Sequence, residues 1–175
     1  MNKVELAELL RRNHSKFTDL LDSLSETDFL YAPEGKWNAG EQLDHLVKSV
    51  APVKMAFTLP KLILKLMFGT ANRSSRTYEA LIEKYNAKLK EGGRASGRFV
   101  AKQVPYSSKQ DLIHKLTRLV DRLSKLTEKQ NEDSLDKYIL PHPLLGKLTL
   151  REMLYFTAYH VQHHEELVKL GLEKK

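Results

Sequence analysis

The sequence predicts an all-α protein, a bundle of four long amphipathic helices, and three observations carry that prediction. Apolar residues recur at steps of three and four along most of the chain. Three of these stretches open on a residue pair with the form of a capping box. Period-two alternation never extends beyond a few residues, and no internal repeat is present.

Leu6, Leu9, Leu10, Phe17, Leu20, Leu21 and Leu24 form a one-faced stripe, so the first helix spans residues ~3–24. A polar turn with Pro33 and Gly35 leads to Trp37. Asn38 with Glu41 three residues on then predicts a second helix from about Ala39. It carries Leu43, Leu46, Val47 and Val50, and Pro52 should kink or restart it because proline lacks the amide donor. Leu59 to Phe68 reads as a short apolar helix or lid. A second short helical stripe, Tyr78 to Leu89, is ended by Gly92-Gly93. Residues ~91–106, rich in Gly, Ser and Arg, predict a loop.

Ser107 with Gln110 has the capping-box form again, opening the third long helix, from Leu112 through Leu126 to about Lys129. Leu140 to Leu148 contains two prolines and a glycine and predicts a structured turn. Thr149 with Glu152 caps the last helix, which should run through Leu170 and stop at Gly171.

A chain of 175 residues fits one domain, 1–175, with a full core. Its 41% hydrophobic and 29% charged residues point away from disorder and from a membrane span. With no cysteine, any metal must be held by imidazole, carboxylate or water. The first residues are polar and helical rather than an apolar leader, and the Leu59–Phe68 stretch is broken by Lys61 and Lys65 and too short to cross a bilayer. A cytoplasmic location is expected. The net charge of +7 could favour polyanions, but acidic residues are interspersed and no block of five like charges occurs. The region after Gly69, with Arg73, Arg76, Arg94 and Arg98, is basic without a platform of aromatics, so neither nucleic acid nor a membrane is the expected partner.

Three of the seven histidines sit where a ligand set can form. His160 and His164 lie one helical turn apart, which points both imidazoles the same way. This is the spacing of helical zinc sites, and a divalent ion wants a third ligand. His45, among the apolar residues of the second helix, supplies one. A histidine on an apolar face also reads as a core residue bonded to a carbonyl or hydroxyl. His163 points away from the pair and reads as a residue behind the ligands or at the rim of the site. Glu41, a turn before His45, could orient it or accept a proton, or serve only the helix cap. His142 could cap the last helix or border the site, His14 could stand behind the ligands, and Trp37 and Tyr159 read as packing residues. Glu165 and Glu166 read as solvated.

The run from Gly35 through Trp37, Asn38 and Glu41 to His45 resembles the tryptophan-to-histidine motif of the DinB/YfiT-like superfamily. His142-Pro143-Leu144-Leu145-Gly146, followed by Phe156 to His160 and His163-His164, resembles that superfamily's fourth-helix signature. The resemblance covers nearly the whole chain. It implies an up-down-down-up four-helix bundle, here with a short helical insertion between helices 2 and 3 (Leu59 to about Ser107), and commonly a homodimer. It implies a divalent ion on His45, His160 and His164: nickel or zinc foremost, iron or manganese otherwise. Despite the name it implies no DNA binding. The superfamily holds S-transferases that use low-molecular-weight thiols, metal-dependent hydrolases and members without assigned activity. The leading expectation is therefore a metal-dependent transferase that joins a thiol to a small-molecule electrophile. Its rivals are a hydrolase, a non-catalytic metal-stabilised binding or stress protein, and, last, a basic membrane-surface protein using Leu59–Phe68.

Overall fold

In the computed structural model, which describes residues 1–175, three of the four long helices begin where a side chain takes over the role of the missing helical acceptor. Helix α1 (Lys3–Ser23) opens on Asn2, whose side chain accepts from the Val4 and Glu5 amides while Glu5 reaches back to the Asn2 amide. Its apolar face buries Leu6, Leu10, Phe17 and Leu21 completely, each worth about 1.5–3 kcal/mol. At its other end the nearly buried Lys109 ammonium donates to the Asp22 and Leu24 carbonyls, 2.9 Å each, placing a cation at the negative end of the helix.

A short helix, α2 (Glu26–Leu30), packs Phe29 against the start of α3 (Ala39–Thr58). The approach requires Gly40, where a methyl group would lie 2.8 Å from the Phe29 ring and 3.1 Å from Val104. Asn38 and Glu41 form the expected capping box. Helix α3 does not restart at Pro52. The proline removes one main-chain donor, and burial of Val50, Val53, Ala56 and Phe57 on the same face offsets it.

The insertion folds as α4 (Lys61–Phe68) and α5 (Tyr78–Lys90), followed by single 3₁₀ turns at Gly97–Phe99 and Tyr106–Ser108. The third long helix, α6 (Lys109–Glu128), grows out of the second of these turns. The Ser107–Gln110 capping box does not form, because the chain already turns helically at Ser108, and Gln110 donates instead to Asp22.

A further short helix, α7 (Glu132–Lys137), precedes a hairpin of β1 (Ile139–His142) and β2 (Gly146–Thr149), where the sequence predicts only a turn. Pairing of His142 with Gly146 leaves a three-residue loop, and Gly146 supplies the positive φ of 75° that closes it. Helix α8 (Leu150–Leu172) starts at the Thr149–Glu152 capping box and continues one residue past Gly171.

Helices α1 and α3 each pack against both α6 and α8, and the apolar residues of all four join one core cluster. The Glu152 side chain is fully buried and does more than cap α8. It takes a two-pronged bond from Arg73 (2.7 and 2.8 Å) and one from the Arg76 amide (2.8 Å), fixing the α4–α5 connection on the base of α8. No helix is long and apolar enough to cross a membrane.

Candidate metal centre

Gln42, His45 and Ser49 follow one another at steps of three and four, so α3 turns all three toward α8. On α8, the one-turn spacing of His160 and His164 aims both rings back at α3. The three imidazoles, each at most 6% exposed, meet there with their candidate ligand atoms within 4.8 Å of one another. His160 Nε2 lies 3.2 Å from His45 Nε2 and 3.0 Å from His164 Nε2.

The outward nitrogens decide which inward ones carry lone pairs. His45 Nδ1–H donates to the Phe99 carbonyl at 2.6 Å, and His164 Nδ1–H donates to the Gln42 side-chain oxygen. Gln42 is itself oriented by a 3.5 Å bond to the Trp37 carbonyl. With their protons on Nδ1, His45 and His164 present bare Nε2 atoms to the cluster. At most one of the two short Nε2···Nε2 contacts can then be a hydrogen bond, since His160 Nε2 brings one proton at most. A shared cation resolves the remainder. Nitrogens ~2.0–2.1 Å from a tetrahedral ion lie about 3.3–3.4 Å apart, within a few tenths of an ångström of the two separations to His160, and the His45 and His164 ligand atoms lie within 4.8 Å of each other. The residues fit a divalent ion.

Electrostatics favour the same state. Burial pushes all three imidazoles toward the neutral form; in His160 and His164 the effect is strong and the neighbouring histidines add to it. For His45, burial outweighs the opposing pull of the Phe99 carbonyl. Neutral imidazole is the form that ligates. Trp37 tilts against His45 with ring centroids 5.2 Å apart, and Phe156 stacks on His160 at 4.6 Å, holding both rings in place.

The 99–102 segment is tied to α3 by two further bonds, joined through an ion pair on the helix. Lys48 donates to the Val100 carbonyl and pairs with Asp44, which accepts from the Lys102 amide. The insertion thus furnishes the carbonyl that sets the His45 tautomer. A cavity of about 770 Å³ opens from the cluster, large enough for a substrate.

The other sequence candidates fall in different places. Glu41 bonds the Asn38 amide and does not line the cavity, so its place is the cap of α3. His14 is buried in the core, outside the cavity, with its Nδ1 on the Leu10 carbonyl, and it does not stand behind the ligands. His142 leaves the α8 cap to Thr149. Its Nδ1 accepts from the Leu144 and Leu145 amides in the hairpin loop, and its ring borders the cavity. His163 lines the cavity half-buried, Tyr159 bonds Asn86, and Glu165 pairs with Lys169. Gln42 and the Phe99 carbonyl are the site groups the sequence did not single out.

The helical bundle and its buried three-imidazole cluster define a class of metal-binding α proteins. The chain belongs to the DinB superfamily, whose profile matches residues 9–168. No curated protein matches it.

Proposed function

We propose that the protein is a metal-dependent transferase that joins a low-molecular-weight thiol to a small-molecule electrophile. The observation that carries this reading is the convergence of three imidazoles on a substrate-sized cavity in a chain with no cysteine of its own. A divalent ion held by His45, His160 and His164, for which nickel and zinc both suit, would supply Lewis acidity that keeps a ligated sulfur in its thiolate form at neutral pH.

The chain's own groups do the rest. The Phe99 carbonyl and Gln42 hold two of the ligating rings in the required tautomer. Apolar walls shield the thiolate from water, where it would be less reactive. His163, which lines the cavity, would take the thiol proton. The sulfur electron pair then forms the new S–C bond; a leaving group departs with the pair that had bound it, or, with an epoxide or unsaturated carbonyl, that pair stays on the substrate and takes up a proton.

Hydrolysis by a hydroxide on the same ion is the close rival, and product formed in the absence of any thiol would distinguish it. The test is a conjugation assay: metal-loaded protein, a set of low-molecular-weight thiols, and a haloaromatic, an epoxide and an unsaturated carbonyl as electrophiles. Metal- and thiol-dependent adducts of the expected mass support the reading. Folded protein that forms none of them with any common divalent metal contradicts it.

A further inference from the structure

We infer that the electrophile taken by this cavity is an amphipathic organic anion, an extended apolar body ending in a carboxylate or a group of like charge. The inference rests on the cavity being the substrate pocket of the proposed transferase, and it names the substrate class.

Size comes first. At ~30 Å³ per water, 770 Å³ corresponds to about 25 waters, far more than the one or two ligand atoms that three imidazoles leave room for. The space beside the cluster is walled by Val53 and Ala56 of α3, Phe68 of α4, Leu140 of β1, and Met153 and Phe156 of α8. Such walls offer little to a compact polar substrate and much to an alkyl chain or an aromatic ring.

Charge comes second. Four cations line the exposed part: Lys36 before α3, Arg94 and Arg98 after α5, and Lys174 at the C-terminus. They converge from three separate segments, no aspartate or glutamate shares the lining, and none of the chain's ion pairs engages their side chains. Glu91, close by in sequence, is held by Lys88 at 2.5 Å. A cleft lined by one sign of charge over low-dielectric walls concentrates ligands of the opposite sign and repels its own. The Arg98 guanidinium lies 5.0 Å from the Phe99 ring centroid, and the carbonyl of that same residue orients His45. An anionic head at Arg94 and Arg98 therefore sits at the mouth, with its body directed along the apolar walls toward the cluster.

Trp37 is the sole tryptophan and lines the cavity, so its fluorescence reports occupancy. The full-length protein, with and without its ion, is titrated with decanoate, decanol and decyltrimethylammonium below their micelle concentrations. Decanoate is expected to bind at least about tenfold tighter than the ammonium probe, and to weaken as salt is raised. The double variant Arg94→Glu/Arg98→Glu should lose about tenfold or more for decanoate and leave decanol unchanged. Equal affinities for the two charged probes, decanoate binding that needs the ion but ignores the arginines, or no saturable response to any probe overturns the inference. Head-group-selective binding without thiol transfer would remove only the transferase reading. Thiol transfer without selectivity among the probes would remove only this one.

Discussion

His14 offers a direct way to test the packing of the bundle, because its cost can be worked out from its surroundings. The ring is 2% exposed; its Nδ1–H donates to the Leu10 carbonyl at 2.8 Å, and its Nε2 is buried without a partner. Burial, only partly opposed by the Leu10 bond, lowers its pKa from 6.5 to about 4. Because the folded pKa lies below the unfolded one, the unfolded chain binds the extra proton first. The folded state is favoured in full above pH 6.5, and that preference is lost as the pH falls toward about 4. Between about pH 7 and about pH 5 the linkage amounts to about 2 kcal/mol.

His14→Leu removes the titrating group at similar volume. It strands no acceptor, since the Leu10 carbonyl keeps its place in the helical ladder of α1. Urea unfolding of metal-free parent and variant, followed by circular dichroism at the two pH values, isolates this residue, because the other histidines are common to both proteins. The parent should lose about 2 kcal/mol more than the variant on acidification, with the variant at least as stable near neutrality. Parallel losses in the two proteins would show that His14 is not buried as described.

Three further outcomes follow from particular contacts. Glu152→Gln removes the buried carboxylate from the partly exposed Arg73 and Arg76, at a cost of about 2 kcal/mol, or roughly 4–8 °C in Tm; thermal unfolding within about 2 °C of the parent would contradict the network. Gln42→Leu frees the His164 Nδ1–H, and metal affinity measured by competition with a chelator should fall about 10- to 100-fold, whereas an unchanged affinity would deny Gln42 its orienting role. His163→Ala should keep its full metal content by elemental analysis, since the ring lies outside the cluster; a loss would make it a ligand.

The parts of this protein that were legible in its sequence are those governed by short-range periodicity. The stripes of α1, α3, α6 and α8 and the caps at Asn38 and Thr149 are written in steps of three and four, and they lead directly to the bundle. The same arithmetic places His160 beside His164. Bringing His45 to them depends on how helices pack, and it became an expectation through the surrounding motif rather than through spacing. The hairpin escaped because its strands are four residues each and interrupted by Pro141, too short for alternation to register. Pro52 misled because proline's local cost says nothing of the buried face that outweighs it. Ser107 failed as a cap because a 3₁₀ turn supplies the helix start one residue later. The Phe99 acceptor was invisible for a different reason: it is a main-chain carbonyl in a Gly- and Arg-rich loop, and any side chain at that position would leave it there.

Metal content per chain bears most directly on the three-imidazole centre, measured by elemental analysis on parent and His45→Ala after loading and removal of excess ion. The parent should retain about one divalent ion per chain and the variant almost none, with the helical circular-dichroism signal of the two superimposing. Equal metal content in parent and variant would mean that His45, His160 and His164 do not hold an ion together.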